Sequence, residues 1–95
     1  MAVQTTATRM VKVGNAMGIH ARPAAQLVHL AGRFRAELKL RRADGRGEAD
    51  CRSVLSLLML AAGKDTELEL RASGDDAAEA VELLAGYFSR NFDEK

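Results

Sequence analysis

A histidine, an arginine and the only proline of the chain stand together in Gly18-Ile19-His20-Ala21-Arg22-Pro23-Ala24-Ala25. Just downstream, Ala24, Leu27, Val28 and Ala31 recur at i, i+3, i+4 and i+7, one face of an amphipathic helix. Pro23 suits the first turn of that helix, where its missing N–H has no intrahelical partner to lose. His20 then falls just outside the N-terminus, beside outward-pointing N–H groups and the positive end of the helix dipole. Such a setting favours an anion such as phosphate. Gly18 lets backbone approach a bound group, Ala21 sits at the helix start, and Arg22 carries a permanent cation whose forked donors match phosphate oxygens. A neutral imidazole is already a nucleophile near pH 7, and the helix end opposes its protonation. His20 is therefore the candidate catalytic nucleophile for a phosphoryl group, with Gly18, Ala21 and Arg22 as candidate phosphate-binding residues. The competing readings are a capping or surface histidine and a solvated first-turn arginine.

A second informative stretch is Arg52-Ser53-Val54-Leu55-Ser56-Leu57-Leu58-Met59-Leu60. Ser53 reads as the N-cap of a short helix running from Val54 to about Ala62 and stopped by Gly63. Its side chains leave almost no polar face. Leu57 and Leu60 read as core, whereas Val54, Leu55 and Leu58 read as an exposed apolar patch for docking a partner, with Arg52 beside them. The competing reading is that all of these are core. Cys51 and Met59 read as packing residues. His29 lies off the apolar stripe and reads as solvated, and no carboxylate or cysteine pattern supports a metal site.

These residues need a scaffold. Thr8–Val13 alternates loosely and ends at Gly14-Asn15, a first strand; the His20 helix follows, to about Gly32-Arg33. Ala36–Arg41 alternates apolar and charged residues, Asp44-Gly45 signals a hairpin, and Gly47–Cys51 returns as a short third strand. After the Ser53 helix, Thr66–Ala72 is a fourth strand. Ser73 or Asp75 caps a last helix carrying the stripe Ala77, Val81, Leu84 and Phe88. The order β-α-β-β-α-β-α, with half-buried strands, predicts an α+β fold: a four-stranded antiparallel sheet covered on one face by three helices.

Composition bounds the rest. Ninety-five residues, 47% apolar and 28% charged, suit one soluble domain spanning 1–95. A formal net charge of +1, from 14 basic and 13 acidic side chains, argues against nonspecific nucleic-acid binding. The four aromatic residues, Phe34, Tyr87, Phe88 and Phe92, are too scattered for a base-stacking platform. A single cysteine forbids an intrachain disulfide and fits a reducing cytoplasm. No apolar run approaches membrane-spanning length, and no signal-peptide pattern opens the chain.

The segment Gly-Ile-His-Ala-Arg-Pro-Ala resembles the phosphorylation-site signature of the HPr family, histidine-containing phosphocarrier proteins of the bacterial phosphoenolpyruvate-dependent phosphotransferase system. The resemblance extends from Thr8 to Phe92 and implies the open-faced β-sandwich of that family. It implies that Nδ1 of His20 is phosphorylated by enzyme I and passes the group to an EIIA-type acceptor, in a monomer that needs no cofactor. Such a carrier is a stoichiometric relay and not a stand-alone enzyme. Ser53 lies where the family has its regulatory serine, the target of a serine kinase/phosphorylase. The Ser53–Leu60 helix, the long hairpin Leu40–Gly45 and the ending Phe92-Asp93-Glu94 are more similar to the nitrogen-related branch, NPr, than to sugar-transport HPr. Another class fits the same residues: a regulatory binding module that docks on enzymes or transcription factors through the Ser53 helix.

Overall fold

The computed structural model describes residues 5–94. Strands β1 (Thr6–Lys12), β2 (Glu37–Arg42), β3 (Glu48–Asp50) and β4 (Glu67–Ser73) form one antiparallel sheet in the order β1-β4-β2-β3. Helices α1 (Ala21–Ala31), α2 (Val54–Met59) and α3 (Ala77–Ser89) complete it, with a short 3₁₀-type turn at Asn91–Asp93. The expected α+β architecture is the observed one. Alternation decides which face the helices cover: Leu38 and Leu40 on β2 and Leu68, Leu70 and Ala72 on β4 point inward and are buried. They pack with Leu27 of α1, Leu57 of α2 and Leu84 and Phe88 of α3. Truncating any of these leucines to alanine costs about 2–5 kcal/mol.

The other sheet face is open and polar. Arg41 pairs across the strands with Glu69 on one side and Glu48 on the other, so opposite charges sit on neighbouring positions. The Lys39 ammonium also approaches Glu48 Oε1 at 3.7 Å.

Element ends differ from expectation where backbone or side-chain contacts intervene. The first strand starts at Thr6 because the pairing with β4 reaches Thr6 opposite Ser73. Helix α2 ends at Met59, not near Ala62. The residue that turns the chain is Ala61, at φ +54°, and not Gly63. That turn frees the Ala62 carbonyl to accept from the Ile19 N–H at 2.9 Å. Helix α3 takes neither Ser73 nor Asp75 as its N-cap but Asp76. The Asp76 carboxylate makes no bond to its own helix; it accepts the Arg35 and Ala36 N–H groups, both at 2.9 Å, and ties α3 to the entry of β2. The stripe Ala77, Val81, Leu84 and Phe88 is buried as its spacing requires.

Candidate functional site

The loop between β1 and α1 is set by Gly18. Its backbone is left-handed, at φ +69°, and a Cβ there would run into the Ala62 carbonyl oxygen and Gly63 Cα. Only glycine fits both conditions. The Gly18 N–H donates to the Asn15 carbonyl at 3.3 Å. Its own carbonyl accepts from the His20 N–H at 3.0 Å and the Asn15 side-chain amide at 2.9 Å. The space that sequence reasoning gave to a bound group is thus filled by the Ala62–Gly63 backbone, and both polar groups of Gly18 are used. Gly18 shapes the loop that delivers His20.

His20 is the N-cap of α1. Its backbone is extended, at φ −90° and ψ −169°, and its carbonyl accepts the Ala24 N–H at 3.0 Å. The side chain makes no cap hydrogen bond and is 27% exposed. The amides of Ala21 and Arg22, the first two helical residues, have no preceding turn to bond to. Pro23 is the third helical residue, buried, and removes the next donor. The first turn contains no acidic side chain, so nothing negative on α1 competes for that end. Arg22 is exposed at the start of the same turn and lines an open cleft with Asn15, Ala16, Met17, Asp93 and Glu94.

Two residues that sequence reasoning missed complete the arrangement. Glu94 Oε2 lies 2.8 Å from Nε2 of His20, and Glu94 Oε1 accepts from the Asn15 side-chain amide at 2.7 Å. The Asn15 amide foremost, then the His20 imidazole and the Arg22 charge, hold the Glu94 carboxyl below the ordinary glutamate range. Asn15 is 6% exposed, and its Oδ1 has no protein partner among the described residues. Glu94 reaches the site through a left-handed run: φ is +53° at Asn91, +58° at Phe92 and +57° at Asp93. Phe92 anchors that run, 4% exposed, with its ring 5.1 Å from Tyr87 and 4.9 Å from Phe88 between centroids.

Beside the site, α2 divides its residues as its period demands. Leu57 and Leu60 are buried, while Val54, Leu55 and Leu58 face outward. Met59 joins that outward face at 76% exposed, so it is not the packing residue expected, because positions 54, 55, 58 and 59 share one side of a short helix. Ser53 is the N-cap, its hydroxyl accepting the Ser56 N–H at 3.1 Å. Ser56 in turn accepts the Asp50 N–H on its own hydroxyl at 3.0 Å. The Arg52 guanidinium donates to the carbonyls of Phe34 and Ala36, at 2.7 and 2.9 Å, and braces the α1–β2 connection. Cys51 is fully buried, and burial pushes its thiol up to about 12, which removes it as a nucleophile. His29 is exposed on α1. Among the described residues, no group of three His, Cys, Asp or Glu side chains could hold a metal ion, and no helix is long and apolar enough to cross a membrane.

The His20 imidazole thus stands beside first-turn amides that no side chain caps. The family model for the PTS HPr component phosphorylation site matches residues 7–90. Phosphocarrier protein NPr of Escherichia coli K12 is 39% identical over 89 residues, covering 94% of this chain and 98% of that protein. Phosphocarrier protein HPr of Pseudomonas putida is 36% identical over 86 residues, covering 90% and 94%. The crystal structure of HPr-C-His from Thermoanaerobacter tengcongensis superposes with a TM-score of 0.86 at 26% identity, covering 94% of this chain and 98% of that one. Motif, sheet order and full-length similarity converge, and the chain belongs to the HPr family of phosphoryl carriers of the phosphotransferase system.

Proposed function

We propose that His20 accepts a phosphoryl group from enzyme I and passes it to an EIIA-type acceptor domain. The observation that carries this reading is the N-cap position of His20, with a side chain that makes no cap bond beside the first-turn amides of α1. Arg22 and the Ala21 and Arg22 amides supply the donors for the phosphoryl oxygens. The protein needs no cofactor for this, because the donor brings the activated group and the acceptor removes it. Partners dock on the outward apolar face of α2, formed by Val54, Leu55 and Leu58 with Met59, which packs beside α1. The relay works in the cytoplasm, with one chain supplying every residue of the site. Ser53 is the regulatory position: a phosphate there would replace its cap bond to Ser56 and add negative charge beside the docking face.

The exposed apolar face of α2 also favours a second reading, a regulatory module whose binding alone is the output. One experiment separates the two. The chain is incubated with phosphoenolpyruvate, magnesium and an enzyme I from the same host, and its intact mass is read before and after brief acid. Gain of one acid-labile phosphate, lost in His20→Ala, supports the relay. A chain that gains nothing from an active enzyme I, or a His20→Ala chain that still gains phosphate, overturns it.

A further inference from the structure

Glu94 reaches His20 across 74 residues of sequence, and the chain goes to some length to bring it there. Three successive non-glycine residues adopt the left-handed conformation, which L side chains disfavour. They keep it because Phe92 is locked between Tyr87 and Phe88 in the core. Asn15, itself buried, turns both hydrogens of its amide toward acceptors, one toward Gly18 and one toward Glu94. An ionised carboxylate can only accept. At 2.8 Å from Glu94 Oε2, Nε2 of His20 must therefore be the nitrogen that carries the proton. In a neutral imidazole Nδ1 is then left with its lone pair.

We propose that Glu94, held by Asn15 and by the Phe92-anchored tail, is a positioning residue that fixes His20 as the Nε2–H tautomer with Nδ1 free to take the phosphoryl group. The inference rests on the carrier reading of His20 and adds to it how the chain selects the nitrogen. In uptake, the Nδ1 lone pair forms the bond to phosphorus, and the bond from phosphorus to the donor's leaving group breaks with its electron pair. Nε2 keeps its proton, and the positive charge left on the ring faces the Glu94 carboxylate. In onward transfer the P–N bond breaks, its pair returns to Nδ1, and the same neutral tautomer is restored. Glu94 touches neither phosphorus nor any of its oxygens in this scheme; it acts only through the imidazole.

The isosteric change Glu94→Gln distinguishes proton placement from packing. Asn15 still requires an acceptor, so the glutamine oxygen turns to it and the glutamine NH₂ faces His20. That NH₂ needs an acceptor nitrogen, which drives the imidazole proton to Nδ1 and disables the nucleophile. The experiment uses the full chain, labelled with ¹⁵N, and reads two quantities: which His20 nitrogen carries the proton, and the rate of phosphoryl uptake from phosphorylated enzyme I. Wild type is expected to show the proton on Nε2. Glu94→Gln is expected to shift it to Nδ1 and to slow uptake by about tenfold or more, at least as much as Glu94→Ala. A Glu94→Gln chain that takes phosphate at the wild-type rate, or that leaves the proton on Nε2, overturns the positioning role while His20 remains the acceptor. If wild type takes no phosphate, the carrier reading falls, and the positioning role with it.

Discussion

Helices α1 and α2 pack beside each other, and they begin in opposite ways. Helix α2 is closed at its start: the Ser53 hydroxyl accepts the Ser56 N–H at 3.1 Å, so the chain satisfies its own donor. Helix α1 is left open. Its N-cap is a histidine whose side chain caps nothing, its first turn lacks an acid, and its third residue is proline. An N-cap serine, threonine or aspartate at position 20 would be the stabilising choice. The difference teaches where stability has been given up. At α2 the helix start serves the fold, and at α1 the same set of orphan donors is left open, as the proposed phosphoryl carrier requires.

The strongest break in that contrast is to close α1. His20→Ser is expected to abolish phosphoryl uptake in the enzyme I assay while raising unfolding stability by about 0.5–1 kcal/mol in denaturant titration. A destabilised His20→Ser chain would remove the idea that an open cap costs the fold anything. Next comes the loop that delivers His20. Gly18→Ala adds a side chain at a left-handed position against the Ala62 carbonyl, and chemical denaturation should show a loss of about 1–3 kcal/mol with slower phosphoryl uptake. On the closed side, Ser53→Ala should cost about 1 kcal/mol by the same titration and leave uptake at His20 within about twofold. A large loss of uptake there would mean that the two helix starts are not separable.

The smallest effect is electrostatic. The Glu94 carboxyl is held below its ordinary value, mainly by the Asn15 amide and then by His20 and Arg22. A depressed carboxyl binds protons less readily in the folded than in the unfolded chain, so its contribution is fully present above about 4.3, the ordinary glutamate value. It is lost as pH falls through the lower folded value. The stability that Glu94 adds over Glu94→Ala should accordingly shrink as pH falls below about 4.3. A difference that did not shrink below that pH would contradict the ionised clasp.

What the sequence could disclose followed distance along the chain. The strands of period two, the α1 stripe and the Ser53 cap are all decided within a few residues, and each is where local spacing puts it. The place of His20 at the start of α1 was legible for the same reason, since the motif, the proline and the helix start are adjacent. Three things were not legible. Asp76 spends its carboxylate on Arg35 and Ala36, some forty residues away, so a local capping rule chose its neighbours instead. Met59 reads as core in composition, and only its place on one side of a helix with Val54, Leu55 and Leu58 turns it outward. Asn15 looked like a strand terminator, and Glu94 like tail. No spacing rule connects residues 79 positions apart, and the left-handed run at Asn91–Asp93 carries no glycine to announce it.

The strand order carries a consequence for how the site comes into being. β1 pairs only with β4, and β2 lies on the far side of β4. The strand that fills the gap is the last of the four to be synthesised. The loop bearing His20 is stitched to the segment just before that strand, through Ile19 to Ala62, Asp65 to Val13 and Val13 to Thr66. A nascent chain that has released only the first sixty residues therefore owns the complete motif and has nothing to press it into shape. Chains arrested on the ribosome after Ala62 should be invisible to enzyme I, and those extended past Glu94 and free of the exit tunnel should become substrates. The carrier would then be born unable to draw phosphate from the relay until its sheet has closed.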